Sequence, residues 1–225
     1  MPTVVIASPK GGAGKSTAAV ILATEAASLG LSVTLLDCDL TTGRETALEV
    51  WGQAGEVPDG IALKTRVGEA EVIKEIKAGE GDGRLVVVDL GGAASRLATR
   101  AISQADLVLV PMRPTTLDVR IGAAAIQMVE EEEETLGRKI PFAVVLSATK
   151  AIKSKPHRGL EESLIEQGVD IISPSLMERG AFAGYFEFGG DLRTMPRQGS
   201  HDAALDNAAA FARAVLARLE GQGDD

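Results

Sequence analysis

Two lysines and three glycines fall within Lys10-Gly11-Gly12-Ala13-Gly14-Lys15, and the hydroxyls of Ser16 and Thr17 follow at once. Phosphate oxygens need several converging N–H donors, and only glycine-rich backbone approaches that closely without a Cβ in the way. A helix opening directly after such a loop adds its partial positive charge. Here the Lys15 ammonium would reach the β- and γ-phosphates and the Ser16 hydroxyl would ligate Mg²⁺. The backbone of Gly11, Gly12, Ala13 and Gly14, with Lys15, Ser16 and Thr17, would form the nucleotide cradle. The plain pattern G-x-x-x-x-G-K-[ST] fails at one place, because Pro9 stands at its first glycine.

Two other apolar runs end in carboxylates: Leu35-Leu36-Asp37-Cys38-Asp39 and Leu85-Val86-Val87-Val88-Asp89. An acidic residue closing a buried strand after a phosphate loop suits it to hold a metal and its water shell, which nominates Asp89.

Such residues act together only if strand ends are gathered at one edge. Candidate strands are 3–8, 32–37, 85–89, 107–111, 142–147 and 169–173, with a weaker one at 61–64. Helical patterns lie near 16–29, 67–77, 94–103, 117–136, 159–167 and 203–220. Strands alternating with helices of this length imply βαβ units. Their continuous apolar runs imply burial on both faces. The expected fold is therefore α/β: a doubly wound, mostly parallel sheet with helices on both faces. At 225 residues and 45% hydrophobic content the chain fits a single domain over 1–225. The stretches 52–60 and 79–83 read as loops, the acidic run 130–134 as a solvated helix face, and 221–225 as a frayed end.

Aromatics make up only 3% of residues, so the core must be built from Ala, Val, Leu and Ile. The single cysteine, Cys38, excludes a disulfide framework and suits a reducing cytoplasm. No basic, then apolar, leader is present, and no run reaches about 18 apolar residues, so neither export nor a membrane span is expected. A net charge of −9 argues against a surface that coats DNA throughout, though not against a local basic patch.

The segment K-G-G-x-G-K-[ST], with its second lysine at Lys10, is the deviant form of the phosphate loop and resembles the ParA/MinD family of ATPases. Further segments agree. Asp37-Cys38-Asp39-Leu40-Thr41-Thr42-Gly43 is similar to the family's D-x-D-P-x-G, with Leu40 for proline. Leu90-Gly91-Gly92 resembles its second switch, and Ala105-Asp106-Leu107-Val108-Leu109-Val110-Pro111 its A-D-x-v-x-x-P strand. The resemblance covers residues 1–150 well and the rest loosely. It implies a P-loop ATPase using ATP and Mg²⁺, with slow, partner-stimulated hydrolysis. Asp39 would position the attacking water and help to order the metal's water, and Lys10 would cross a dimer interface to the partner's nucleotide. ATP would then favour a sandwich homodimer. The family often reads adenine with an Asn after the next strand; here Ser147 or Thr149 is left for that contact, Thr149 being the nominated residue.

Positive charge clusters in Lys150, Lys153, Lys155, His157 and Arg158, with Arg179, Arg193 and Arg197 later. Such a group suits sequence-nonspecific binding to duplex DNA by counterion release. The expected partners are a second copy with ATP, nonspecific DNA, and a ParB-like or cargo-adaptor protein that stimulates hydrolysis. The expected setting is cytoplasmic and nucleoid-associated. The aromatic segment 180–190 suits core or dimer packing. The last helix ends in Glu220 and terminal aspartates, unlike a membrane anchor. The chain opens on the phosphate-loop strand, so operator-specific binding is not expected either. Rival readings are a MinD-like spatial regulator and a metabolic synthetase of the same superfamily. One cysteine excludes a nitrogenase-reductase-like cluster.

Overall fold

The computed structural model describes residues 2–92, 95–197 and 199–221. Strands β1 (Thr3–Ile6), β2 (Ser32–Cys38), β3 (Ile61–Lys64), β4 (Arg84–Leu90), β5 (Leu107–Met112) and β6 (Phe142–Leu146) join one sheet in the order β3-β2-β4-β1-β5-β6. Every pairing is parallel. The helices are α1 (Lys15–Ser28), α2 (Ala47–Ala54), α3 (Val72–Gly79), α4 (Arg96–Ile102), α5 (Thr116–Leu136), α6 (Lys155–Glu166), α7 (Gly180–Phe188) and α8 (His201–Glu220).

Successive strand side chains leave on opposite faces, so a strand covered twice must be apolar at every position. Val4, Ile6, Val33, Leu35, Leu85 and Val87 pack with Ala19, Leu22 and Ala26 of α1 and Ala208, Phe211 and Val215 of α8. Val5, Leu36, Val86, Val88 and Val108 face the other way, toward Ile76 of α3, Ala101 of α4 and Ala125 of α5. The expected doubly wound α/β sheet is therefore what forms. Cys38 is buried in the second layer. Asp106 does mark a strand start: its carboxylate accepts the Thr3 amide at 2.6 Å.

Five element readings need correction. The expected strand at 169–173 is reduced to bridges beside β6, Val144 with Ile171 and Thr149 with Met177; Pro174 has no N–H to give a continuous ladder. Helix α2 runs through part of the stretch read as a loop. It is set by a capping box in which Thr46 and Glu49 exchange side-chain and backbone bonds. The aromatic segment is itself a helix, α7, with Tyr185 fully buried. Helix α3 starts at Val72, because the Val67 amide is taken by the Asp37 carbonyl at 2.9 Å. Helix α6 starts earlier than expected, capped by Ser154. The expected helix start at Ala94 and the tail beyond Gly221 lie outside the described residues.

The register brings chemistry to one edge. Asp37 of β2 pairs with Asp89 of β4, and Asp89 with Ile6 of β1. Strand β1 sits between β4 and β5, where the winding reverses. The crevice beyond such carboxyl ends is where ligands bind in open parallel sheets.

Candidate nucleotide site

The loop leaving β1 makes its tight turns at Gly12 (φ 75°) and Gly14 (φ 96°), left-handed values that favour glycine. A Cβ on Gly14 would lie 3.3 Å from that of Ser147. The Ser147 hydroxyl donates to the Ala13 carbonyl at 2.7 Å, so β6 braces the loop from behind. Helix α1 then opens with no acidic residue in its first turn and no side-chain cap. Its first N–H groups are thus left for an anion.

Lys15 is nearly buried, and its ammonium donates to the Lys10 carbonyl at 3.2 Å. Burial pulls its pKa below the ordinary lysine value, while Asp89 and Asp39 act against that pull. Asp89 is wholly desolvated, which pushes its carboxyl up to about 7; the Ser16 hydroxyl and Lys15 oppose this, and Asp37 and Asp39 add to it. Its Oδ1 is buried with no hydrogen-bond partner. An orphaned carboxylate oxygen beside a serine hydroxyl and a phosphate loop fits a hydrated Mg²⁺.

Asp37 is a scaffold. Its Oδ1 accepts the Asp39 amide at 2.9 Å and its Oδ2 accepts the Thr46 hydroxyl. Burial raises its pKa, with the Thr46 bond opposing. Asp39 is partly exposed, and its Oδ1 accepts both the amide (2.9 Å) and the hydroxyl (2.6 Å) of Thr41. Partial burial would raise its pKa, but the Thr41 bonds, Arg44 and Lys15 outweigh it and hold the carboxyl below its usual range.

These groups surround one cleft of about 490 Å³, lined by Gly11, Gly12, Gly14 to Thr17, Asp39, Thr41, Arg44 and Asp89. Gly92 borders it; a Cβ there would stand 3.5 Å from the Pro9 carbonyl and 3.9 Å from the Lys15 ammonium. Lys10 points elsewhere. It pairs at 2.5 Å with Asp118, a buried carboxylate in the first turn of α5. A second cleft of about 410 Å³ shares Gly12, Gly14 and Thr17 and continues between Ala148, Met177, Arg179, Phe182 and Phe186. Sequence reasoning gave no site role to Thr41, within the Asp37–Gly43 segment, or to Phe186, within the aromatic segment, and missed Arg44, which belongs to no motif.

Thr149 does not line that second cleft and is corrected as a base contact. It is buried, and its hydroxyl meets the Ser175 hydroxyl at 2.9 Å. The preceding Ala148 takes φ 48°, which turns the chain there.

The basic residues do not form one set. Lys150, Lys155 and Arg158 are exposed, and Lys153 is paired with Glu161 at 2.6 Å. Arg179 is half-buried, and its guanidinium donates to the Ser200 hydroxyl at 3.3 Å and to the Met177 sulfur at 3.0 Å. Arg197 is exposed and pairs with Asp202 at 3.4 Å. Arg193 is a correction. Its side chain is 41% exposed, yet it grips buried Glu25 of α1 with two bonds of 2.9 and 2.8 Å and also holds Asp191, so its charge is already matched by two carboxylates at the surface.

A glycine-turned loop between a parallel strand and a free helix N-terminus, with carboxylates at neighbouring strand ends, defines a P-loop ATPase. Residues 1–220 match the family described as VirC1 protein, and the chain belongs to that family, within the ParA/MinD ATPases. It is 52% identical over 221 residues to Protein ParA of Rhizobium radiobacter, covering 97% of this chain and 98% of that one. The fold is shared with a variant of McdA from Cyanothece in complex with ATP (TM-score 0.72, 20% identity, 96% of each chain). It is shared also with the cell division ATPase MinD of Pyrococcus furiosus (TM-score 0.70, 15% identity, 96% of this chain and 98% of that one). Among the described residues no helix is long and apolar enough to cross a membrane.

Proposed function

We propose that this chain is an ATP-switched positioning ATPase, in which bound Mg²⁺-ATP licenses a homodimer that holds duplex DNA without regard to sequence. The observation that carries the nucleotide reading is the orphaned Asp89 oxygen facing the same cleft as Lys15 and the open N-terminus of α1. Mg²⁺ would be held by the Ser16 hydroxyl and, with its water shell, by Asp89. It supplies positive charge to the phosphate oxygens.

The chain's own residues do the rest. The α1 amides and Lys15 take the phosphates and neutralise charge on the departing ADP. Asp39, held anionic, orients the attacking water and accepts its hydrogen bond. Water oxygen adds to the γ-phosphorus, the bond to the bridging oxygen breaks, and ADP and phosphate leave. The base and ribose occupy the second cleft, against Phe182, Phe186 and Ala148.

Lys10 supports the dimer reading, since one loop lysine suffices for the phosphates and this one ends on a partly exposed ion pair. Lys150, Lys155 and Arg158 make the proposed DNA face. Two copies of it on a dimer would share one duplex. A ParB-like or cargo-adaptor protein would stimulate hydrolysis, and the protein would reside on the nucleoid. The test is ATP affinity and phosphate release for wild type and Lys15→Ala, with and without Mg²⁺. Wild type should bind and turn over ATP only with Mg²⁺, and Lys15→Ala should lose binding because its charge-assisted bonds are gone. Equal affinity in both proteins would refute the phosphate-loop assignment.

A further inference from the structure

The loop that presents Asp39 has few bonds of its own, and residues 40–45 are exposed or nearly so. Its restraint comes from Arg66, just beyond β3. The Arg66 backbone sits at φ 57°, a conformation that residues bearing a side chain seldom keep without compensation from their surroundings.

The guanidinium reaches three places at once. Nη1 donates to the Thr41 carbonyl at 2.5 Å, and Nη2 to the Arg44 carbonyl at 2.8 Å. Nε and Nη2 fork onto the Glu49 carboxylate at 2.7 and 2.6 Å. Glu49 is no loose partner. Its Oε2 accepts the Thr46 amide at 2.8 Å, closing the cap of α2. The clamp therefore joins a helix end to both sides of the loop. Its far end is Thr41, whose amide and hydroxyl are the bonds that orient Asp39. Only a planar fork of donors can satisfy a carboxylate and two carbonyls together; a lysine ammonium offers one point.

We infer that Arg66 is a positioning residue for hydrolysis: it fixes the backbone of Thr41 and Arg44 so that Asp39 faces the nucleotide, while not lining the cleft itself. This rests on the ATPase reading above. The phosphate cradle belongs to α1 and the loop before it, so loss of the clamp should spare ATP binding and strike turnover. A clamp that merely tied α2 to β3 would lower the melting temperature and leave kcat alone.

The experiment compares wild type, Arg66→Lys, Arg66→Gln, Asp39→Ala and the Asp39→Ala/Arg66→Lys double variant. Equilibrium ATP binding, kcat, KM and thermal melting are measured for each. Arg66→Lys keeps a charge opposite Glu49 and so keeps the fold. It should lose roughly tenfold in kcat, the scale expected when a catalytic group is mispositioned, with ATP affinity within about twofold. On the Asp39→Ala background the same change should do nothing further, because residues acting as one unit are not additive. Wild-type turnover by folded Arg66→Lys, or an undiminished additional loss in the double variant, overturns the role of Arg66 alone. A wild type that neither binds nor hydrolyses ATP overturns the ATPase reading, and this inference with it.

Discussion

Asp89 makes an energetic prediction whose sign depends on pH. Its carboxyl, ordinarily at 3.8, is raised to about 7 in the folded, nucleotide-free protein by desolvation. At about 1.4 kcal/mol per pH unit, that rise from 3.8 to about 7 is worth roughly 4 kcal/mol. The folded state binds the proton more tightly than the unfolded chain does, so stability falls as pH climbs through this window. Below pH 4 both states hold the proton and no cost is felt. Above pH 7 the folded protein carries a buried carboxylate with one oxygen unbonded, and the cost is complete.

Asp89→Asn removes the titrating group at nearly constant shape. Nucleotide-free Asp89→Asn should therefore melt close to wild type at pH 4.5 and above it at pH 8, by up to roughly 4 kcal/mol. For a chain of this size that is on the order of 10 °C. Adding Mg²⁺-ATP should reverse the order, because a ligand stabilises the tighter binder more, and the variant, lacking the carboxylate, binds Mg²⁺-ATP more weakly. Thermal melts across pH, with and without Mg²⁺-ATP, decide the matter. A melting difference independent of pH, or a variant that gains as much from Mg²⁺-ATP as wild type, would show that Asp89 is neither strained nor waiting for a metal.

Asp39→Ala should bind ATP, lose most turnover and accumulate the dimer in sedimentation; normal cycling would remove Asp39 from the chemistry. Lys10→Ala should bind ATP yet fail to dimerise, since the same lysine that meets Asp118 is the one proposed to reach the partner's phosphates. A stable ATP dimer of that variant would refute the role. Reversing Lys150, Lys155 and Arg158 to Glu should abolish gel shifts of duplex DNA while leaving ATP affinity intact. Wild-type DNA affinity should fall linearly with salt on logarithmic axes, by about 0.9 per phosphate contact. No shift by wild type with ATP at low salt would take DNA out of the proposal.

The phosphate loop was legible because its chemistry is local: a few consecutive residues supply glycine turns, ammonium and hydroxyl. The strands were legible because double burial writes itself as unbroken apolar runs. Helix α2 was hidden by Gly52 and Gly55, although its capping box, Thr46 and Glu49, was in plain view. Gly52 sits close against a neighbour rather than at a turn: a Cβ there would lie 2.7 Å from the tip of the Leu63 side chain, which would have to turn aside. Helix α7 is apolar nearly all round, so it shows no stripe of helical period. Arg193 read as surface charge because its partner Glu25 is 168 residues away. Thr149 failed for a similar reason. A hydroxyl's direction depends on the turn at Ala148, which no spacing rule reveals. Arg66 carries no motif at all; its contacts with Thr41 and Arg44 exist only after β3 has joined β2.

The same side chain serves three purposes at this site, and environment alone assigns them. Asp37 is fully buried and has both oxygens bonded, to Thr46 and the Asp39 amide, so it can only brace. Asp89 is as deep but has one oxygen unbonded, so its ionised form is costly until a cation arrives. Asp39 lies toward solvent with Thr41, Arg44 and Lys15 favouring its charge, so it is anionic before any ligand binds. Separation of neighbouring carboxyls by burial and bonding is how one residue type is given distinct acid–base roles. It also sets an order. On the proposed reading Asp39 is charged before any ligand binds, whereas near pH 7 Asp89 would become fully charged only with metal and nucleotide in place. Proton release on Mg²⁺-ATP binding near pH 7 should therefore come from Asp89, and Asp89→Asn should bind without it.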